Sequence, residues 1–236
     1  MTISRFSEEA ASWDSNPFIH AATANAKTAI LSRLGPSSTN SPDVLDLGCG
    51  TGLLSLALAP SVRSVTSIDA AQGMVDVLSS KLEAPDAPKN IRAICVLLED
   101  PDDPILNTDP VTGTQEAQPK KFDLVVSHLV LHHIPDLSAF LKTIHGVLKP
   151  GGLVMLTDFE DFGPEARRFH PESKMDGVER HGIKRKEIDE LLREVGFQDV
   201  KVETAFEMEK AVESEPGNGD GTYLMSFPFL ICQGKR

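Results

Sequence analysis

Val44-Leu45-Asp46-Leu47-Gly48-Cys49-Gly50-Thr51-Gly52 runs from an apolar stretch, through an acid, into a turn with glycine at alternate positions. Glycine lets backbone approach a ligand closely and adopt conformations that a side chain forbids, so this turn suits a nucleotide-like ligand. A dinucleotide fingerprint would need a third glycine in the pattern G-x-G-x-x-G, and position 53 is Leu. Asp69 closes the next apolar run about 20 residues on, where a carboxylate can accept hydrogen bonds from both ribose hydroxyls, a device that dehydrogenases share. Met74, just beyond, has the character of either a core residue or a surface for a flat ring. For proton transfer the chain offers His128, His132, His133, His170 and His181, since imidazole titrates near neutrality.

The glycine turn with the acid before it resembles motif I of the class I S-adenosylmethionine-dependent methyltransferases, of the small-molecule, UbiE-like group. The resemblance implies that Gly48, Cys49, Gly50 and Gly52 make room for the methionine part of the cofactor. It implies that Asp46 holds the cofactor's amino group, directly or through water, and that Asp69 and Ala70 meet the ribose, with Met74 against the adenine. After the third apolar run the family usually has an Asp near the adenine amino group. Here Leu97-Leu98-Glu99-Asp100-Pro101 leaves the register open, with Leu98 and Glu99 the expected contacts and Asp100 the competitor. Phe122 to Ser127, the following His128 to Ile134, and Lys149-Pro150-Gly151-Gly152 are similar to later motifs of the family, and Ser127 and His128 are expected at the cofactor. The segment from Ala11 to Pro17 is similar to an amino-terminal lid in which an aromatic residue, here Trp13, closes over the cofactor. By the same resemblance, acceptor specificity resides around Phe169-His170 and His181-Gly182-Ile183. His181, and after it His133, are the candidates for a catalytic base.

Apolar runs at Asp43 to Leu47, Val62 to Ile68, Ile91 to Leu98, Phe122 to Ser127 and Leu153 to Thr157 alternate with helix-like segments at Leu53 to Ala59, Gly73 to Leu82 and Leu137 to Leu148. That alternation predicts an α/β fold with a parallel sheet covered on both faces. Asn25 to Leu34 reads as an earlier helix closed by Gly35-Pro36 and followed by a loop from Ser37 to Pro42. Lys149-Pro150-Gly151-Gly152 reads as a helix stop leading into a strand. Glu187 to Val195 reads as a late helix stopped by Gly196, and Val200 to Glu207 with Ser226 to Gln233 as an antiparallel hairpin at the sheet edge. Asp100 to Lys121 and Glu213 to Gly221 lack periodicity and read as exposed loops or partly disordered insertions. The family adds the expectation of a Rossmann-like seven-stranded, mostly parallel sheet. One domain over 1–236 is expected, divided into a lid and helices at 1–36, a cofactor-binding core at 43–158, an acceptor segment at 159–185, and a terminal helix and hairpin at 186–236.

A net charge of -12 disfavours a polyanionic partner, because binding a nucleic-acid backbone requires clustered Lys and Arg. No apolar leader or membrane-length stretch is visible, and three scattered cysteines suggest neither a disulfide framework nor a metal pair. A reducing location, cytoplasm or nucleus, is therefore expected, with a small-molecule acceptor and neither nucleic acid nor membrane as partner; a protein partner is not readable. Neither His132-His133 nor the cysteines has the spacing of a zinc ligand set, so no metal is expected, and the absence of a G-x-S-x-G elbow argues against a hydrolase. S-adenosylmethionine would be consumed to S-adenosylhomocysteine by in-line displacement. A non-catalytic cofactor-binding partner protein and a nicotinamide-dependent oxidoreductase stand as the competing functional classes.

Overall fold

The computed structural model of the protein describes residues 3–34, 41–214 and 221–236. Two helices, α1 (Ile3–Trp13) and α2 (Pro17–Arg33), precede strand β1 (Asp43–Leu47). There follow α3 (Leu53–Leu58), β2 (Ser64–Asp69), α4 (Gln72–Leu82), β3 (Ile91–Cys95), β4 (Phe122–His128), α5 (Leu137–Val147) and β5 (Leu148–Phe159). The chain closes with α6 (Arg185–Val195), β6 (Gln198–Glu213) and β7 (Thr222–Lys235).

Among the described residues the strands form one seven-stranded sheet in the order β3-β2-β1-β4-β5-β7-β6. The four pairings from β3 to β5 are parallel, as short βα units demand, while β7 runs antiparallel to both β5 and β6. The expected α/β architecture and edge hairpin are thus present. Period-two alternation splits the core between the two faces: Leu45, Val125 and Leu156 pack with Leu141 and Ile144 of α5 and Leu192 of α6, whereas Val44, Leu124 and Val126 pack with Ile30 of α2 and Leu58 of α3. The chain leaves β1 toward β2 on one side and returns beside β1 as β4 on the other. That reversal opens a crevice at the carboxyl ends of β1 and β4, where ligands bind in open α/β sheets.

Several local readings are revised. The helix read from Asn25 begins at Pro17, with Asn16 as its cap accepting from the Phe18 amide at 3.0 Å; its buried face is mostly alanine and carries little apolar contrast. The predicted stop at Lys149-Pro150-Gly151-Gly152 lies inside the span of β5, because Leu148 already pairs with Phe122 ahead of an irregularity in the ladder. The segment from Asp100 to Lys121 is a loop, exposed over residues 111–118 as expected, but it is anchored. Leu106 is buried, and the buried Asp109 carboxylate meets the exposed Arg63 at 2.8 Å and the buried Lys120 at 3.0 Å. The helix closure at Gly35-Pro36, most of the loop that follows it, and the middle of the segment Glu213 to Gly221 lie outside the described residues. No helix among the described residues is long and apolar enough to cross a membrane.

Candidate active site

The crevice between β1 and β4 holds a cavity of about 1110 Å³ counted to its open mouth. Its floor is the glycine turn. Gly48, with φ of 77°, donates its amide to the Ile68 carbonyl at 2.8 Å, and a Cβ at this position would lie 2.5 Å from Val130. Gly50 differs: a Cβ there would meet nothing nearer than the Met74 sulfur at 4.0 Å, so it keeps space free above the turn. Gly52 does not line the cavity; at φ of 80° it caps α3 and packs under Leu78, which is a structural task.

Two acids stand at strand ends beside this floor. Asp69 accepts from the amides of Gly50 and Ala71, each at 2.8 Å, which fixes the carboxylate's orientation and leaves lone pairs on both oxygens. Asp46 points to the α3 side of the sheet, where its carboxylate accepts from the Ser55 hydroxyl at 2.5 Å. Burial, reinforced by the nearby Asp69 charge, pushes the Asp46 carboxyl up to about 7. A buried acid with one neutral donor is poised to take a cation. Trp13, Cys49, Ala70, Met74, Leu98 and His128 line the same cavity, together with Phe6, Ile19, Val96, Leu97 and Val130.

Other sequence-selected residues stand elsewhere. Glu99 is exposed and does not line the cavity; its backbone carbonyl accepts from Thr143, and the apolar Val96-Leu97-Leu98 faces the space instead. Ser127 is buried, donates to the Leu47 carbonyl at 2.6 Å and ties β4 to β1 rather than facing the crevice. His181 is half-buried and lines neither this cavity nor the one beside it.

The segment expected as a lid contains α1, whose Phe6 and Trp13 line the cavity. Ala10 with Phe6 and Trp13 packs on Ala71 and Met74 of the α4 end, and this approach requires Gly73, where a Cβ would meet the Ser7 carbonyl at 2.5 Å. The lid's end is latched to the glycine turn: Asp14 accepts from the Thr51 hydroxyl at 2.5 Å and pairs with Lys81, which also donates to the Thr51 carbonyl at 2.7 Å. Sequence reasoning singled out Trp13 but missed Phe6, although Phe6, Ala10 and Trp13 stand one or two turns apart on one helix face.

A second cavity of about 930 Å³ adjoins the first. Phe6, Trp13, Ile19, Leu129 and His133 line both. Leu129 holds φ at 57°, a left-handed conformation costly for a branched residue, at the junction itself. Beyond it stand His132, His170, Phe18, Phe169 and Lys210. Burial depresses the imidazoles: His128 and His133 fall to about 4 and His132 to about 3. All are therefore neutral at pH 7. The segment that follows β5 holds the histidine turn in place, since the Arg180 guanidinium donates to the carbonyls of Leu131 and Ile134 at 2.5 Å each and the Glu179 amide to that of His132 at 3.0 Å.

This geometry has relatives. Over 143 residues the chain is 35% identical to an uncharacterised methyltransferase of Schizosaccharomyces pombe, a stretch covering 59% of this chain and 47% of that protein. It is 37% identical over 109 residues to a ubiquinone biosynthesis O-methyltransferase of Coxiella burnetii, covering 46% of this chain and 40% of that one. The chain thus spans less than half the length of the curated relatives it matches. Its fold is shared with Haemonchus contortus phosphoethanolamine N-methyltransferase 2, solved in complex with S-adenosylmethionine, at a TM-score of 0.62 and 20% identity over 90% of this chain and 52% of that one. Residues 19–202, most of the sequence and all of the parallel core, match a family described as a methyltransferase domain, and to that family the chain belongs.

Proposed function

We propose that the protein transfers the methyl group of S-adenosylmethionine to an oxygen of a small molecule. The observation that carries this reading is the pair of adjoining cavities, one floored by the glycine turn with Asp46 and Asp69, the other ringed by aromatic and imidazole side chains, sharing Trp13 and His133 at their junction. An oxygen acceptor is favoured by the name of the Coxiella relative, a ubiquinone biosynthesis O-methyltransferase. The residues fit the cofactor: Gly50 leaves open space, Asp69 lines the cavity with acceptor capacity left on both oxygens, and buried Asp46 suits an ammonium group.

Bound S-adenosylmethionine supplies an electrophilic methyl group on a positively charged sulfur. The protein's own share is to bind, align and exclude water. Asp69 and Ala70 would hold the ribose, Met74 and Leu98 the adenine, and Asp46 the amino group, while α1 closes the crevice with Phe6 and Trp13. Alignment of the acceptor in the second cavity is the main lever, since fixed orientation contributes on the order of 7–11 kcal/mol in favourable cases. The apolar walls assist a reaction in which charge disperses. At the junction, His133 has its Nδ1 2.7 Å from the Gly177 carbonyl, so its proton sits there and Nε2 offers a lone pair. His181, nominated from sequence, stands outside both cavities, which leaves His133 as the nearer candidate to handle a hydroxyl.

Methyl-labelled S-adenosylmethionine, incubated with the protein and a small-molecule extract, tests this reading. Label should appear in an extractable small molecule, and a His133→Gln variant should lower its rate at least tenfold while leaving cofactor affinity within about threefold. Label confined to protein would overturn the small-molecule acceptor in favour of a protein side chain, and none transferred by a protein that binds the cofactor would replace the enzyme with a binding module.

A further inference from the structure

His132, His133 and His170 converge at the wall of the second cavity, with ligand nitrogens all within 4.8 Å of one another. Spacing in sequence hid this cluster: two of the three are adjacent on the turn after β4, and the third arrives from the turn after β5.

Two of the three rings, His132 and His133, are held through Nδ1. His132 Nδ1 lies 2.9 Å from both carboxylate oxygens of Asp158, which is fully buried on β5 and also accepts from the His132 and Phe159 amides. His133 Nδ1 lies 2.7 Å from the Gly177 carbonyl. With the protons placed on Nδ1 by these acceptors, both Nε2 atoms present lone pairs. His132 Nε2 is buried and has no hydrogen-bond partner, an unmet acceptor that buried polar atoms rarely tolerate. A carboxylate or carbonyl behind each imidazole is the arrangement that orients histidine toward a metal and raises its basicity.

We propose that His132, His133 and His170 bind one divalent transition-metal ion, with Asp158 and the Gly177 carbonyl orienting the first two, and with a coordination position left open toward the second cavity. A neutral three-nitrogen set suits zinc, and equally cobalt, nickel or copper, better than magnesium or calcium. Tetrahedral binding at about 2.0–2.1 Å places ligand nitrogens roughly 3.4 Å apart, so loading draws the rings inward from the present spread.

The cations on the same cavity wall are already engaged. Lys174 pairs with Glu9 at 2.7 Å, and Arg5 with Glu9 at 3.6 Å and with the Lys174 carbonyl at 3.1 Å. Lys210 donates to the Phe169 carbonyl and lies over the Phe169 ring at 4.4 Å.

The ion's role rests on the methyl-transfer reading and takes the place of His133 as base, since the His133 Nε2 lone pair is then given to the metal: an acceptor hydroxyl entering the open position would lose its proton to solvent more readily. Metal binding itself does not depend on that reading. Protein freed of metal with a chelator and titrated with cobalt(II) should bind one equivalent and develop the intense visible absorption of a low-coordinate nitrogen site. Zinc should displace the cobalt. His170→Gln, at the partly exposed ligand, and Asp158→Asn should weaken binding at least tenfold, with the fold checked by circular dichroism and the cofactor by calorimetry. If His170→Gln fails to fold, His133→Gln serves in its place. Absence of stoichiometric cobalt binding by the parent protein, or equal affinity in a folded His170→Gln variant, would overturn the site. Normal S-adenosylmethionine binding alongside that failure would leave the methyl-transfer reading intact, whereas cobalt binding without cofactor binding would remove the catalytic role and keep the metal.

Discussion

Asp46 and the buried imidazoles set opposite pH demands on the molecule. The Asp46 carboxyl is raised from 3.8 to about 7, so the native state holds a proton that the unfolded chain releases; its contribution to stability is full below about 4 and lost as pH rises through 7. Binding an ammonium requires the ionised form. Cofactor affinity should therefore climb as pH rises through 7, with proton release detectable by calorimetry in buffers of differing ionisation enthalpy, and Asp46→Asn should flatten that profile. The histidines act the other way. His128, His132 and His133 are depressed to about 4, 3 and 4, so the unfolded chain takes up protons below 6.5 that the native state refuses. Their contribution is present above about 6.5 and falls away toward pH 4, and chemical denaturation should show the midpoint dropping steeply over that interval. At this scale the sequence was most legible where chemistry is local. The glycine turn, Asp69 and Met74 lie within one β-turn-α-β-α stretch, and their spacing alone brings them together. Glu99 faces solvent because the chain turns apolar side chains inward after β3, and Ser127 faces β1 because strand alternation sends it there; both depend on register, which spacing does not reveal.

Elements were legible in proportion to their amphipathic contrast. The strands and α4, α5 and α6 carry clear apolar faces, and their predicted cores match the observed spans. The first half of α2 was missed because alanines supply its buried face, although Asn16-Pro17 is a helix-start signal. The stretch from Asp100 to Lys121 is the expected exposed loop over residues 111–118, but its anchored part was missed because order there comes from charge rather than periodicity. Asp109 is buried against Lys120 and Arg63, which precede β4 and β2, and these cations hold its carboxyl well below the usual range. Asp109→Asn should remove one of the two carboxylates that meet buried Lys120, leaving Asp43 at 3.2 Å, and cost about 2 kcal/mol. A fall in the denaturation midpoint, accompanied by faster amide exchange confined to this loop, would bear that out; an unchanged midpoint would mean that the loop is held by Leu106 alone.

On the scale of the whole molecule, topology explains why distant segments meet. The reversal of chain direction between β1 and β4 opens the crevice, the helices before β1 fold back to roof it, and the segment after β5 clamps the histidine turn from the far side. Family resemblance could foresee the first of these, since the motif order encodes it. The convergence of His170 on His132 and His133 follows from long-range packing and could be seen only in three dimensions. The account stands or falls on the cofactor. Calorimetric titration with S-adenosylmethionine and S-adenosylhomocysteine, with NAD as control and folded Asp69→Ala and Asp69→Asn variants beside the parent, should give one saturable site for both sulfur compounds. Affinity should drop at least about tenfold in each variant, as loss of charge-assisted hydrogen bonds requires, and NAD should show no binding. Saturable NAD binding, or S-adenosylmethionine affinity unaltered in the Asp69 variants, would contradict it.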